Sequence, residues 1–392
     1  MALDVAAVQK VLREEGLDGW LLYDFRGSNP IAYRLAGMGG GGHLATRRWF
    51  YLVPATGQPR ALVHAIERHN LDHLPGGKIV YAGRQQLEAG LAQMLAGIAR
   101  VAMEYSPRCA IPYVSLVDAG TIELVRETGV EVVSSGDLVQ RFDAHWDADA
   151  IETHRAASDV LHRAKDQAFE TIARRLHDSV PTTEYDIQQL MMGWFAEGGL
   201  LAEPPNVSAQ ENAGNPHYLP TAELSRPIRK NELVLIDLWG KLDKPRAVYA
   251  DITWIGFTGP QPPADVTRAF ATICQARDAA VETVQKAAAE GRDVRGFELD
   301  RAARTVLQQA GYGESILHRT GHSLGEQVHG NGAHLDDYET HDERRLLPGT
   351  GFTIEPGLYF DRFGVRTEIN VVWGTGGPEV TGPRQQEIVS LV

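Results

Sequence analysis

Apolar positions along the chain fall into two regimes. Leu3, Val5, Val8, Val11 and Leu12 recur at roughly helical spacing up to Gly16 and predict a helix that opens the chain. The run GWLLYDF that follows predicts a short buried strand. RRWFYLVPATGQPRALVHAIE predicts a hairpin, with two apolar runs around a turn containing Pro54, Gly57 and Pro59. A helical stretch near Gln85 to Ile98, a strand RVAMEY, a helix near Leu116 to Thr128 and a strand VEVVSS continue the alternation, so residues 1–140 are expected to form an α/β domain. From Leu138 to His177 the pattern turns mostly helical and heavily charged, which places the domain junction in a helical linker at 141–155. TTEYDIQQLMMGWFAEGG then predicts a helix with Thr183 and Asp186 in capping-box positions and a Gly pair at its end. Strands ELVLIDLWGKL and AVYADITWIGF, helices from Ala264 and from Phe297, and strands GTGFTIEPGLYF, FGVRTEINVVW and EIVSLV make residues 156–392 an α+β domain. The glycine run GMGGGGH lacks the spacing and charge of a phosphate loop and reads as a mobile hairpin or lid.

Bulk properties narrow the function. A chain of 392 residues with 43% hydrophobic and 23% charged residues has material for two cores and is not disordered as a whole. The net charge of −13 works against a phosphate-binding surface, so nucleic acid is not an expected partner. Cys109 and Cys274 are far apart and lack a CxxC spacing, which argues against a disulfide framework or a thiolate metal site. The opening residues carry charges every few positions, so they read as neither a signal peptide nor a membrane span, and a cytoplasmic location is expected.

Candidate chemistry comes from acids placed where a core should be. Asp237 interrupts LVLIDLW, a run otherwise typical of a strand buried on both faces, and an isolated carboxylate there needs a cation or donors. Asp251 in VYADITWIGF repeats the situation on the next strand, and a hairpin would put both carboxylates on one face. Glu355 in FTIEPGLYF and Glu368 in GVRTEINVVW repeat it twice more. Each acid alone has an alternative as a capped or ion-paired residue. Four on apolar strands of one domain call for more positive charge than their neighbours offer, and two divalent ions would supply it. His322, between Gly321 and Ser323, is the candidate nitrogen ligand. Its spacing to His329 is not that of HExxH, so His329 is read as a proton donor outside the ligand set.

In chain order, NVSAQENAGNPHY, LIDLWG, YADITW, HRTGHSLGEQVHG, FTIEPGLY and GVRTEINVV resemble the pita-bread metallopeptidases of family M24, specifically their proline-directed branch of prolidase (Xaa-Pro dipeptidase) and aminopeptidase P. SNPIAYRLAG is similar to the start of that branch's N-terminal domain, so the likeness covers nearly the whole chain. The resemblance implies a creatinase/prolidase-like α/β N-terminal domain followed by an α+β pita-bread (creatinase/aminopeptidase-like) catalytic domain. It implies that Asp237 binds one metal through both oxygens, that Asp251 and Glu368 bridge two metals, and that His322 and Glu355 hold the other. Glu355 is implied as the base for a bridging water, His329 as a stabiliser of the tetrahedral intermediate, and His217 as a group on the leaving side. His318 matches a histidine near the proline pocket, and Arg366 an arginine that supports the metal site, with a structural ion pair as its alternative. His334, in the charged stretch GAHLDDYETHDERR, either reaches the substrate or belongs to a solvated loop. Two departures bear on metal choice and pH optimum: Gly330 follows His329, and Ile369 follows Glu368, where many relatives carry acids. A third is a longer turn between Asp237 and Asp251, an insertion that leaves the strands intact.

The implied reaction is hydrolysis of the Xaa-Pro bond of dipeptides or short peptides with two divalent ions per chain. Mn²⁺ suits four oxygen ligands and one imidazole, and Zn²⁺, Co²⁺ and Fe²⁺ are alternatives. The implied partners are a small peptide with proline after its first residue and a second copy of the chain, a homodimer, with no membrane. A creatinase-like amidinohydrolase and a catalytically silent binding protein on the same fold would each lack part of the acid set, and methionine aminopeptidase fits poorly with the large N-terminal domain and His318.

Overall fold

The computed structural model describes residues 3–38 and 45–392, so most of the glycine run read as a hairpin or lid lies outside the described residues. The chain divides into two compact units, Met1–Asp143 and Ala144–Val392.

In the first unit, α1 (Val5–Glu14) starts where the Asp4 carboxylate accepts the Ala7 N–H and buries Val8 and Leu12. Strand β1 (Gly19–Asp24), α2 (Pro30–Leu35), β2 (Trp49–Pro54), β3 (Arg60–His64) and β4 (Gly77–Tyr81) follow. Next come α3 (Arg84–Met94), β5 (Arg100–Met103), α4 (Ala119–Arg126), β6 (Glu131–Ser134) and α5 (Gly136–Phe142). Among the described residues the strands form one mixed sheet in the order β4-β3-β2-β1-β5-β6. The anticipated hairpin is present, with Phe50 opposite Leu62. Two elements carry no strong periodicity: α2 is a single short helix capped by Asn29, and β4 is a largely exposed edge strand with only Tyr81 buried.

The junction takes a different form from a helical linker at 141–155. Helix α5 ends at Phe142, and Asp147 caps a new helix, α6 (Ala148–His177), by accepting the Ala150 N–H, so the helix belongs to the second unit. Helix α7 (Glu184–Glu197) has the expected capping box: Thr183 accepts the Asp186 N–H and Asp186 accepts the Thr183 N–H.

Strands β7 (Leu200–Leu201) and β8 (Asn206–Ala209) pair with β9 (Leu233–Leu242), which pairs with β10 (Ala250–Phe257). Helices α8 (Ala264–Ala289) and α9 (Gly296–Gln309) precede β11 (Ser323–Leu324), β12 (Gly351–Ile354), β13 (Gly357–Phe360), β14 (Phe363–Arg366), β15 (Ile369–Gly374), β16 (Gly377–Thr381) and β17 (Val389–Ser390). A second sheet runs β11-β12-β15-β16, and β13-β14 form a separate hairpin. One face of β8–β10, with Val207, Ala209, Val234, Ile236, Leu238, Ala250 and Ile252, packs on α6 and α7. The other packs Leu233, Leu235 and Ile255 against α8, α9 and the second sheet. Along that inner face apolar residues give way to Asp237, Trp239, Asp251 and Thr253, and the site begins there. No helix among the described residues is long and apolar enough to cross a membrane.

Two expected strands are broken, and the breaks matter. Pro356 has no N–H for a ladder, and the chain leaves the sheet between β12 and β13. Thr367 and Glu368 likewise separate β14 from β15. Glu355 and Glu368 therefore stand at strand ends, not within strands.

Candidate metal centre and the residues around it

Register places the first two acids together. Asp237 lies opposite Thr253 and Asp251 opposite Trp239, so the carboxylates are diagonal neighbours on one face. Asn370 fixes the level of Asp251, accepting its N–H at 3.0 Å and donating to its carbonyl. Glu368 joins through its backbone N–H, 3.2 Å from Thr253 O. His322 arrives on a segment pressed against β12: a Cβ on Gly321 would stand 2.1 Å from Thr353 O, so glycine is required before the histidine. The His322 N–H donates to Thr353 Oγ1 at 3.0 Å, and Nδ1 lies 3.1 Å from Ser323 O. A carbonyl only accepts, so Nδ1 carries a proton and Nε2 is the nitrogen presented to the acids. Nε2 stands 3.6 Å from Asp251 Oδ2 and 3.4 Å from Glu355 Oε1. Ligand atoms of Asp251, His322 and Glu368 lie within 4.8 Å of one another, all buried.

Asp237 is held differently. Its Oδ1 accepts from Thr253 Oγ1 at 3.0 Å, and its Oδ2 is ion-paired with Arg366. The same Thr253 hydroxyl lies 2.8 Å from Glu368 Oε2, and its single proton serves only one acid at a time. Arg366, anticipated as a support of the metal site or as a structural ion pair, is buried with its fork on Asp237, Thr253 Oγ1 at 3.1 Å and Tyr359 Oη at 2.8 Å. His318 closes a directional chain. Its Nδ1 donates to Arg319 O at 2.7 Å, so Nε2 accepts from Tyr359 Oη at 2.7 Å, which accepts from Arg366. Gly357 makes room for that hydroxyl: a Cβ there would stand 2.5 Å from Oη.

The outer histidines divide. His329 sets its ring nearly perpendicular to His322, with centroids 4.4 Å apart, and keeps an exposed edge. His217 is exposed on its loop, its N–H donating to Asn215 Oδ1, on the same side of the site as His329. His334 corrects the solvated-loop alternative. It is buried, Nδ1 accepts the Ser323 N–H at 3.1 Å, and its own N–H donates to Asp342 Oδ2 at 2.8 Å. The acids around it turn inward: Asp336 accepts from Tyr338, Glu339 and Thr340, and Asp300 from Thr320 and Asp337. Thr253, Thr353, Tyr359 and Asn370 were not singled out from the sequence. Period-two spacing is the signal that finds two of them, since Thr253 follows Asp251 by two and Asn370 follows Glu368 by two.

The electrostatics describe a cluster short of positive charge. Burial, then the neighbouring acids, pushes Asp251 up to about 7, even though its contact with His322 works the other way. Burial and repulsion from Asp251, Glu355 and Asp237 push Glu368 well above the carboxylate range, and burial raises Asp237 despite Arg366. Glu355 is the exception: burial works to raise it, but the charges of His322, His318, Arg366 and Arg319 outweigh burial and lower it. His322 is raised: burial opposes its charge, but Asp251 and Glu355 prevail. His329 is lowered by partial burial and then by His322 and Arg319. Asp251 Oδ1 and Glu368 Oε1 are buried with no hydrogen-bond partner. Each such oxygen costs on the order of 1–3 kcal/mol, a large part of a typical folding stability of about 5–15 kcal/mol. Cations satisfy both oxygens and relieve the repulsion, so the residues fit a divalent metal centre.

Comparison with known proteins agrees. Residues 152–374 match the model of metallopeptidase family M24, and the chain belongs to that family. It is 29% identical over 235 residues to a probable dipeptidase PepE of Mycobacterium bovis, a match covering 55% of this chain and 58% of that one. It is 37% identical over 164 residues to a Xaa-Pro dipeptidase of Lactobacillus helveticus, covering 41% and 40%. The chain thus matches between 40% and 58% of the length of these curated relatives. Its fold is that of dipeptidase PepE from Mycobacterium ulcerans (TM-score 0.70, 23% identity, 99% and 96% covered) and of an X-Pro aminopeptidase from Thermotoga maritima (TM-score 0.62, 20% identity, 100% of each). The architecture is therefore an α/β N-terminal domain with a pita-bread catalytic domain.

The Tyr359 chain makes a prediction. Tyr359→Phe removes the donor to His318 and an acceptor of Arg366, and is expected to destabilise the protein by roughly 1–3 kcal/mol. Urea unfolding reads this, and an unchanged midpoint would mean that water replaces the hydroxyl.

Proposed function

We propose that the protein is a dinuclear-metal peptidase hydrolysing the Xaa-Pro bond of dipeptides or short peptides, prolidase first and aminopeptidase P second. The observation that carries this reading is the acid cluster itself: Asp251 and Glu368 are buried, each with an unpartnered oxygen, beside the half-buried Asp237 and Glu355, and the repulsion of the other three acids adds to burial in raising Glu368 well above the carboxylate range. Names of the relatives, a Xaa-Pro dipeptidase and an X-Pro aminopeptidase among them, support the substrate class.

Asp237, Asp251, His322, Glu355 and Glu368 would hold two divalent ions, with Mn²⁺ favoured by the oxygen-rich set and Zn²⁺, Co²⁺ or Fe²⁺ as alternatives. Bound there, such ions acidify water toward neutral pH and polarise the scissile carbonyl. Glu355, held ionised by the positive groups around it, takes the proton of the attacking water and passes it to the departing imino nitrogen. His329 places an N–H donor at the exposed edge beside His322, where charge develops on the carbonyl oxygen. Arg366 keeps Asp237 oriented. His318 lies on the Tyr359 side of the site, His217 on an exposed loop near His329, and His334 behind β11, holding the His322 segment at Ser323. The proposed partners are the peptide and a second copy of the chain.

Hydrolysis of Ala-Pro beside Ala-Pro-Gly, after metal removal and then with Mn²⁺, Zn²⁺ or Co²⁺ restored, tests the reading. Metal-dependent cleavage of the dipeptide alone is expected of a prolidase, and cleavage of both of an aminopeptidase P. No cleavage under any metal sinks it.

Metal uptake should depend on pH. The folded, metal-free protein keeps the Asp251 proton up to about pH 7, while an unfolded chain releases it near 4. The folded state thus binds more protons in that window, and the stability Asp251 contributes, full below about pH 4, is lost as pH rises through about 7. A cation displaces this proton, so the rise in Tm produced by Mn²⁺ is expected to grow between pH 5 and pH 8, by up to about tenfold in affinity per pH unit for each proton displaced. Thermal scans at four pH values with and without Mn²⁺ check it, and a constant increment would contradict it.

A further inference from the structure

Residues 215–226, which carry His217, form neither helix nor strand. Apolar burial does little to hold them: Pro220 alone among them is buried, and Leu219 and Leu224 are exposed. Polar contacts hold them instead, and these converge on one carboxylate. Glu184, the first residue of α7, is fully buried. Its Oε1 accepts the Ala209 N–H at 2.6 Å and Asn212 Nδ2 at 3.0 Å. Its Oε2 accepts the Arg226 N–H at 3.0 Å and Tyr218 Oη at 2.6 Å. Ala209 and Asn212 precede the segment and Arg226 ends it, so Glu184 ties both ends to the start of α7, where the helix N–H groups favour a negative charge. Tyr218 adds the contact that falls beside His217. Its hydroxyl also lies 2.9 Å from Leu224 O, but it has one proton, and the shorter contact with the carboxylate is the stronger. On the other side of His217, Pro216 O lies 3.5 Å from Arg366 Nη1. That contact is long, which leaves the Tyr218–Glu184 bond as the firm neighbour of the exposed imidazole.

We propose that Tyr218 is a positioning residue for His217: its hydroxyl, bound to Glu184, sets the His217 imidazole at the leaving side of the scissile bond. The inference rests on the peptidase reading above, in which His217 meets the departing group. An exposed imidazole on an irregular segment has many orientations, and fixing one costs entropy each time a substrate arrives. A bond to a buried carboxylate that already exists in the free protein meets that cost in advance. Tyr218 therefore acts on the reaction through His217, while the Ala209, Asn212 and Arg226 contacts keep the ends of the segment in place without it.

Tyr218→Phe removes the hydroxyl, keeps the ring and spares Glu184, whose own loss would strip the acceptor from several donors at once. On Ala-Pro with the Mn²⁺-loaded enzyme, Tyr218→Phe is expected to lower kcat/KM about tenfold. His217→Ala is expected to lower it about 100-fold. The double variant is expected to match His217→Ala within about a factor of two, because a residue that acts through another has nothing left to act on. A further tenfold loss in the double variant would assign Tyr218 to the fold. That result, or a wild-type rate in either single variant, overturns the proposal. Hydrogen exchange of the Mn²⁺-loaded protein reads the same bond without turnover. Amides of residues 215–226 are expected to exchange about tenfold faster in Tyr218→Phe, while those of β9 and β10 hold their rates. Unchanged exchange in the segment overturns the proposal even where Ala-Pro is cut. If the wild type cuts no Xaa-Pro dipeptide with any metal, the peptidase reading fails and the role of His217 with it, and exchange still decides whether the hydroxyl orders the segment.

Discussion

Asp251→Ala is expected to yield a folded protein that no longer retains divalent metal and, on the proposed reading, hydrolyses Xaa-Pro dipeptides at least about 10³-fold more slowly, since the lost charge stabilisation is several kcal/mol at about 1.4 kcal/mol per decade. Asp251 is the acid in the tightest grouping, sharing the cluster with His322 and Glu368, and its Oδ1 has no protein partner. The variant also separates function from structure. Asp251→Asn removes a buried ionisable oxygen that the fold does not use, so the metal-free variant at pH 8 is expected to be more stable than the metal-free wild type, by on the order of 1–3 kcal/mol. Metal analysis after dialysis, steady-state rates and urea unfolding in EDTA check the three parts. Retained activity in Asp251→Ala would end the metal-centre reading. Lower stability of metal-free Asp251→Asn would show that the carboxylate serves the fold.

Arg366→Leu is expected to act in the opposite sense, destabilising the metal-free protein by roughly 3–5 kcal/mol, because it strips the partner from a buried acid. Asp237 loses its ion pair, and Tyr359 and Thr253 lose a donor. The effect has a pH signature. Burial already raises Asp237, and without Arg366 it rises further, so the variant holds this proton where the unfolded chain does not, and its deficit deepens as pH increases through that raised value. Mn²⁺ replaces part of the missing charge and is expected to restore more stability to the variant than to the wild type. Urea unfolding at pH 5.5 and 8, with EDTA or Mn²⁺, measures both. An equal loss at both pH values would assign the effect to packing alone.

The acids were legible in the sequence because a carboxylate within an apolar run is a local anomaly that a single strand displays. The same is true of the Thr183 capping box and of the Trp49–His64 hairpin. What could not be read was the pairing of one strand with another. Thr253, Asn370 and Tyr359 look like ordinary polar strand residues until the register sets them against Asp237, Asp251 and Arg366. The stretch from His334 to Arg344 admits a solvated-loop reading beside the substrate-contacting one because it is charged, yet Asp336 and Asp342 spend their oxygens on the loop's own N–H groups and on Arg344. Charge density along a chain reports hydration only when those charges lack internal partners. The breaks at Glu355 and Glu368 were hidden for a related reason: apolar residues flank both acids, and continuity of hydrophobicity does not reveal that the strands on either side join different sheets.

The connection between β9 and β10 has one practical consequence. The ladder from Gly240–Ala250 to Leu233–Phe257 is unbroken, while residues 243–246 are exposed. Lys244 is equally far in sequence from Asp237 and Asp251, so a fluorophore on a cysteine at that position, with the exposed Cys109 replaced and the buried Cys274 kept, would be anchored by the two strands that carry both acids. Its emission would give a reporter of metal arrival from within the ligand-bearing hairpin that contacts neither ligand.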